Sequence, residues 1–393
     1  METTSLVTSV IYRIFSMIYW DHNSTTPCAP EVVEAMQRYW NEEYGNPSSS
    51  HLMGRRAELA VKKAREQLAG LINAIPPEIV FTSGATESNN LLFLGILLSP
   101  RTERNRIVVS SIEHKSVLEP TLLLEEHGFE VIKLPVDQTG VTNVDAAKKL
   151  ITPKTLLVSV QAANNELGTL QPVADLAELA HENGAYFHTD AAQVLGKVPF
   201  DVQAVNCDFA SFSAHKMYGP KGIGALFVRG GVQRWPWARP FRGGGQESDL
   251  RPGTSNVPAI VGYGEACRLA KDTLSENAIY LRELAERFVS GLKAVAPEVR
   301  TINEIGSSLP GTLSIIVPGI PADVLIAHCN KICISKGSAC NGAIDVSHVI
   351  NEVLHDTSLK DSVVRVSFGK GSSPDEFEDF FEILKNIRKM GGR

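Results

Sequence analysis

The chain has 393 residues, enough for roughly two to three domains of ~150 residues and for a large buried core. Apolar residues make up 43% and charged residues 21%, which excludes a disordered tail protein, a collagen-like repeat and a disulfide miniprotein. With 38 basic against 44 acidic side chains the net charge is −6, so binding to nucleic acid through bulk charge is not expected.

In chain order, the first apolar stretch is Leu6 to Trp20, but Arg13 interrupts it and it is too short to cross a bilayer. No small-residue cleavage site follows, so a short leader or a terminal strand packed on the body is expected rather than a signal peptide. Seven apolar, β-branched runs then read as buried strands, at 79–81, 107–109, 131–132, 156–160, 185–188, 209–212 and 223–228. Helical patterns such as 55–71 and 173–182 lie between most of them. This alternation predicts an α/β domain with a mostly parallel sheet, whose ligands sit beyond the carboxyl ends of its strands. After Pro258, Leu281, Leu284, Ala285, Phe288, Leu292 and Val295 keep helical spacing, as one long amphipathic helix or two abutting ones. A strand at 312–317, a helix from Asp323, a strand at 363–368 and a closing helix at 374–390 read as a smaller α+β domain. The expected division is 26–265 for the large domain, with 1–25 and 266–393 forming the smaller one. Six cysteines are far below scaffold density and point to a reducing compartment, the cytoplasm.

Several strand-end loops carry polar residues with no packing purpose. Ser83-Gly84-Ala85-Thr86 opens an apolar helix, and its N–H groups and hydroxyls suit a phosphate; an ordinary capped helix is the alternative. Asp190 and Gln193 follow the run at 185–188, and Ser213, His215 and Lys216 follow the run at 209–212. Lys216 lies between two buried strands, where an unpaired ammonium is costly, and an imine with an aldehyde cofactor would remove its charge. Alone, Lys216 reads as a salt-bridged lysine and Asp190 as a helix N-cap. Together with the Gly84–Thr86 turn they meet the three needs of pyridoxal phosphate: a lysine for the aldehyde, a carboxylate for the pyridinium nitrogen and a nest for the phosphate. His114 could stack on the ring and exchange protons, or could be a surface or capping histidine; Asn165 could bond a ring hydroxyl or close an Asx turn. Cys340 stands among Gly337, Ser338, Ala339 and Gly342, in a loop that favours reactivity, and the neighbouring Lys336 would favour its thiolate. Cys333, between Ile332 and Ile334, reads as structural. A zinc site of His328, Cys329, Cys333 and Cys340 matches no common spacing, and no metal is expected.

Together these motifs resemble the cysteine desulfurase family, pyridoxal phosphate enzymes of the class-V aminotransferase type. The resemblance runs from about Tyr19 through Asp21–Pro27, Gly45–Ser49, Thr82–Asn90, Glu113–Lys115, Asn164–Glu166, Asp190–Gln193, Ser213–Pro220, Arg251–Thr254, Gly337–Cys340 and Arg365–Ser367. It implies the fold type I transferase architecture, a large domain on a mostly parallel seven-stranded sheet plus a smaller α+β domain. It also implies that Lys216 is joined to the cofactor and later carries a proton, and that Asp190 holds the pyridine nitrogen. Gln193 and Asn165 would bond the ring hydroxyl side, and His114 would cover the ring face. Ala85, Thr86, Ser213 and His215 would hold the phosphate, joined by Thr254 from the other subunit of a homodimer. Arg365 would clamp the substrate carboxylate, with Asn46 near it.

The implied reaction converts L-cysteine to L-alanine and passes sulfur to Cys340 as a persulfide. An acceptor protein of iron–sulfur cluster assembly or nucleic-acid thiolation would then receive it, with no direct nucleic-acid or membrane contact. Pro252 stands where the family has serine, Asn341-Gly342 replaces Thr-Ser, and Ser24 replaces alanine. The C-terminus is expected to lack the longer tail that some relatives use to dock a scaffold. Selenocysteine lyase, or another lyase or aminotransferase on the same platform, is the alternative. Lys216, Asp190, His114 and Cys340 standing together argue against a catalytically dead scaffold.

Overall fold

The structure is a computed structural model that describes residues 17–336 and 346–391. Every one of the seven expected strands is present. They are β2 (Ile79–Thr82), β3 (Arg106–Ser110), β4 (Glu130–Leu134), β5 (Thr155–Ser159), β6 (Tyr186–Asp190), β7 (Phe209–Ser213) and β8 (Gly224–Val228), following a short β1 (Ile18–Tyr19). They form one sheet in the order β2-β8-β7-β6-β5-β3-β4. Only β8 runs against its neighbours; the other pairings are parallel. Six of the seven have at most one residue short of full burial, as expected for a sheet covered by helices on both faces, and only the edge strand β4 is largely exposed.

Because β2 and β7 are both antiparallel to β8, the carboxyl ends of β2, β3, β5, β6 and β7 meet at one edge. Apolar strands there end in polar residues: Thr82, Ser110, Ser159, Asp190 and Ser213. At the β8 edge, a Cβ on Gly224 would sit 2.6 Å from the Cα of Gly84, so only glycine lets β8 run this close to the turn after β2.

The expected long helix is continuous over 39 residues, Val257–Val295. Its first half packs Ile260, Tyr263 and Cys267 into the large core, and its second half packs Leu284, Phe288 and Leu292 into a second core. The second core also covers the antiparallel sheet formed by β9 (Arg300–Thr301), β10 (Thr312–Ile316) and β12 (Val363–Ser367), in the order β12-β10-β9. Trp20 is its centre, fully buried, with edge-on contacts to Phe288 at 5.4 Å and Phe368 at 5.2 Å and an indole N–H donated to Glu376 at 2.9 Å. β1 pairs in parallel with β11 (Ile332–Cys333), and Asp21 bridges to Ser367. Trp20 thus anchors the segment 21–26 where it passes from the second core to the edge of the large sheet. Among the described residues no helix is long and apolar enough to cross a membrane.

Candidate active site

A cavity of about 520 Å³ opens at the carboxyl edge of the large sheet. Ala85, Thr86, His114, Asn165, Asp190, Gln193, Ser213, His215, Lys216 and Arg365 all line it. The helix Ala85–Leu97 starts at this wall with Gly84 as its N-cap and no side chain capping it. Its first N–H groups are therefore available to an anion. Glu87 fastens the turn, accepting from the Ser83 N–H at 2.8 Å and pairing with Arg251 at 2.7 Å. Burial pushes the Glu87 carboxyl up, but Arg251 and Ser83 outweigh it and hold the group below its ordinary range.

Asp190 projects from the end of β6. Its Oδ1 accepts from the Ala192 N–H at 3.0 Å, and its Oδ2 accepts from Asn89 Nδ2 at 2.8 Å. The same Asn89 amide donates to Ser116 Oγ at 2.9 Å, and Ser116 Oγ lies 2.8 Å from His114 Nδ1. His114 caps the helix Lys115–Glu126, its Nδ1 accepting from the Ser116 N–H at 3.1 Å. With Nδ1 an acceptor, the neutral ring carries its proton on Nε2. Burial lowers the His114 pKa; Asp190 raises it, while Lys216 and Lys115 lower it further, so the ring is neutral at pH 7. One chain of hydrogen bonds therefore fixes both Asp190 and the tautomer of His114. Beneath it, Glu113 accepts from the Gln161 N–H at 2.6 Å, and burial holds its carboxyl well above the usual carboxylate range.

Lys216 closes the short 3-10 turn Ala214–Lys216 that follows β7. Its Nζ donates to the carbonyls of Asn23 at 2.6 Å and Ser24 at 2.7 Å. Arg365, from β12, is 2% exposed and spreads its guanidinium over Asn165 O at 2.9 Å, Asp21 Oδ1 at 2.5 Å and Ser24 Oγ at 2.6 Å. The segment 21–24 thus joins a residue of the small sheet to a residue of the large one. His215 Nδ1 lies 3.0 Å from Thr25 Oγ1, and burial together with Lys216, Lys221 and Lys197 lowers its pKa to about 4.

His188, also on β6, sets the height of this edge. It is fully buried, with Nδ1 2.8 Å from Ser159 Oγ on β5 and Nε2 3.0 Å from Ser211 Oγ on β7. Burial lowers its pKa to about 3. The unfolded chain therefore binds a proton at His188 below its ordinary value of ~6.5, and the folded chain does not until about pH 3. Stability is expected to fall with acidification across that window, His188 contributing up to about 1.4 kcal/mol per pH unit. Urea unfolding between pH 6 and pH 4 checks this: His188→Gln should give a shallower slope by that amount.

The five described cysteines, Cys28, Cys207, Cys267, Cys329 and Cys333, are all free. Burial raises every one of their thiol pKa values, Cys207 to about 12 and Cys329 to about 11. Cys340, and with it the segment 337–345, lies outside the described residues. Lys336, expected to favour its thiolate, forms an ion pair with Asp323. Among the described residues no group of three or more metal-ligating side chains comes together.

Two expected site residues are not brought to the cavity within one chain. Asn46 is exposed, its side chain accepting from the Ser48 N–H at 3.0 Å. Thr254 is exposed and lines a neighbouring groove with Arg251 and Gly253, which meets the cavity only at Ser83 and Gly222. Gln193 lines the cavity with both amide atoms engaged: Nε2 donates to Asn23 O at 3.0 Å and Oε1 accepts from Lys197 at 2.9 Å. Four residues of the site carried no assigned role in the sequence reading: Asn23, Asn89, Ser116 and Lys197. Lys197 had a signal, a lysine inside the otherwise apolar run Val194 to Phe200; Asn89 and Ser116 had none beyond their places in motifs.

The aminotransferase class-V family model matches residues 18–380. "Cysteine desulfurase IscS" of Anaeromyxobacter dehalogenans is 40% identical over 382 residues, 95% of this chain and 94% of that protein. "Cysteine desulfurase, mitochondrial" of Candida albicans is 38% identical over 383 residues, 95% of this chain and 78% of that protein. A solved structure described as a NifS-like protein superposes with a TM-score of 0.88 at 37% identity, covering 95% of this chain and all of that one.

Proposed function

The chain belongs to the cysteine desulfurases of the aminotransferase class-V family, and from that premise we propose that it takes the sulfur of L-cysteine, releases L-alanine, and holds the sulfur as a persulfide on Cys340 for an acceptor protein. The family depends on pyridoxal phosphate. The donor set of the cavity fits that group: the uncapped N–H groups at Ala85 and Thr86 with Ser213 and His215 suit its phosphate, Asp190 its ring nitrogen and Lys216 its aldehyde carbon. When bound, pyridoxal phosphate supplies a sink for electrons released at the amino acid's Cα.

The remaining work falls to the chain's own groups. Arg365, its guanidinium already oriented by Asn165, Asp21 and Ser24, takes the substrate carboxylate. The Lys216 amine moves the Cα proton. His114, neutral and with Nδ1 committed to Ser116, presents Nε2 as the proton-exchanging nitrogen. The Cys340 thiolate attacks the substrate sulfur; the S–S bond forms as the C–S bond breaks, and the methyl carbon of alanine gains a proton. Atoms balance, since cysteine plus one thiol gives alanine plus one persulfide.

Two observations support Cys340 for this role. Burial keeps the five described thiols protonated, which disfavours them as nucleophiles. Both ends of the segment carrying Cys340 are anchored at the cavity: Ser335 pairs through its backbone with Arg365, and His348 lines the wall.

A homodimer completes the site in this reading, with Thr254 and Asn46 serving the partner's cavity. The exposed apolar side chains Trp40, Leu52 and Leu59 on the first two helices support such a contact. We place the large domain at 26–265, the smaller one at 1–25 and 266–393, and the enzyme in the cytoplasm. The observation that carries the reading is the convergence of Lys216, Asp190 and an uncapped helix start on one cavity. Incubating the purified protein with L-cysteine tests it. One alanine should form per persulfide, with the mass of one added sulfur on the Cys340 peptide. Alanine formed only with added pyruvate, with cysteine converted to its own keto acid and no persulfide, would make the protein an aminotransferase instead.

A further inference from the structure

β2 lies at one end of the large sheet, so one of its edges faces no strand. In an extended chain the carbonyl of one residue and the N–H two residues on point the same way. Away from β8, Ile79 O accepts from Arg65 Nη1 at 2.5 Å and the Phe81 N–H donates to Glu247 Oε2 at 2.9 Å. Arg65 comes from the helix Leu52–Leu71 and Glu247 from the 3-10 turn Gln246–Asp249. The two side chains join as a fork, Nη1 to Oε2 and Nη2 to Oε1, both at 2.7 Å, and the guanidinium lies 4.6 Å over the Phe81 ring. They are only 19% and 7% exposed, so solvent screens the pair little. An ion pair thus stands where a neighbouring strand would, offering one donor and one acceptor to an open edge.

The turn that carries Glu247 is held against its own preference. Glu247, Ser248 and Asp249 have φ of +49°, +55° and +65°, a left-handed run that non-glycine residues avoid and that persists only where the surroundings fix it. Leu250, fully buried, and the Gly253 N–H, donated to Gln246 Oε1 at 2.8 Å, fix it from behind. Arg251, four residues after Glu247, reaches Glu87, which accepts from the Ser83 N–H. The segment 247–251 therefore grips the chain on both sides of Thr82, directly at Phe81 and through Glu87 at Ser83. Thr82 Oγ1 in turn donates to Gly84 O at 3.1 Å, where the uncapped helix starts. Neither Glu247 nor Arg65 lines the cavity.

We propose that Glu247, oriented by Arg65, is a positioning residue for the cofactor's phosphate: by standing in for a strand at Phe81 it holds the end of β2 still, so that the N–H groups of Ala85 and Thr86 keep one direction. Donors fixed before an anion arrives need no ordering when it binds, whereas donors that wander must be ordered and the affinity falls. The inference rests on the turn after β2 being the phosphate site, and the experiment below tells failure of the one from failure of the other.

Full-length protein freed of cofactor is titrated with pyridoxal phosphate and with pyridoxal, which lacks the phosphate, and binding is read from the visible spectrum. The unaltered protein is expected to prefer the phosphorylated form by more than about a hundredfold. Glu247→Gln and, independently, Arg65→Met should each weaken pyridoxal phosphate by about tenfold and leave pyridoxal unchanged, a split that general loosening of the fold would not give. In a Thr254→Ala background Glu247→Gln should weaken binding by the same factor again, since it acts through Phe81. In the unaltered protein the Phe81 amide should exchange its hydrogen as slowly as its neighbours in β2. Equal weakening of both ligands, no weakening, loss of the effect in Thr254→Ala, or a fast-exchanging Phe81 amide, which needs no variant to fold, would each overturn the proposal. No preference for the phosphorylated form in the unaltered protein would instead defeat the phosphate site itself, and the proposal with it.

Discussion

Lys216→Ala is expected to abolish alanine formation from L-cysteine, by more than about a thousandfold, and to remove the visible absorbance of the purified protein. Two functions go at once. The amine that holds the cofactor is lost, and so is the group that moves the Cα proton. The fold should survive, because Lys216 sits in a short turn after β7 at the cavity wall, outside the apolar core, and donates to the backbone carbonyls of Asn23 and Ser24. Near-unchanged unfolding midpoints would therefore accompany the loss. The effect should exceed that of any substitution among the phosphate contacts, where the several donors at Ala85, Thr86, Ser213 and His215 share the load.

Cys340→Ser is expected to separate cofactor chemistry from sulfur transfer. A serine hydroxyl is not ionised near neutral pH and does not attack sulfur, so persulfide formation should fall by more than about a hundredfold. Visible absorbance and its change on adding L-cysteine should remain, since Asp190, Lys216 and Arg365 are untouched. Cys28→Ser is the control: its thiol is partly exposed but raised by burial and lies outside the cavity, so sulfur transfer should be unaffected. Persulfide found on another cysteine in Cys340→Ser would reassign the carrier.

The large sheet was readable because most of its strands are short apolar runs bounded by turn residues and buried on both faces; the edge strand β4, with Glu130 and Lys133 exposed, showed only its Val131-Ile132 centre. The site was readable for the same reason in reverse. A polar residue has no packing purpose at the end of such a run, so Asp190, Ser213 and Lys216 stood out. The long helix Val257–Val295 kept its period across both cores, which is why it read as one element or two abutting ones; the structure makes it one.

Other features depend on contacts between distant segments, which no local pattern encodes. The two-residue strands β1 and β11 exist only because they meet each other. Asn89 and Ser116 sit in ordinary helix starts, and only the folded chain places them between Asp190 and His114. Lys197 becomes informative only when Asn23, from the other end of the chain, is set beside it. Asn46 and Thr254 matched family motifs, but a single chain brings neither to the cavity.

Borohydride reduction of the freshly purified protein, followed by peptide mapping, tests the central claim most directly. The account predicts a pyridoxyl group fixed to Lys216 and to no other lysine, with reduction blocking alanine formation in proportion. A pyridoxyl group on Lys197 instead, or a fully active protein carrying none, would contradict it.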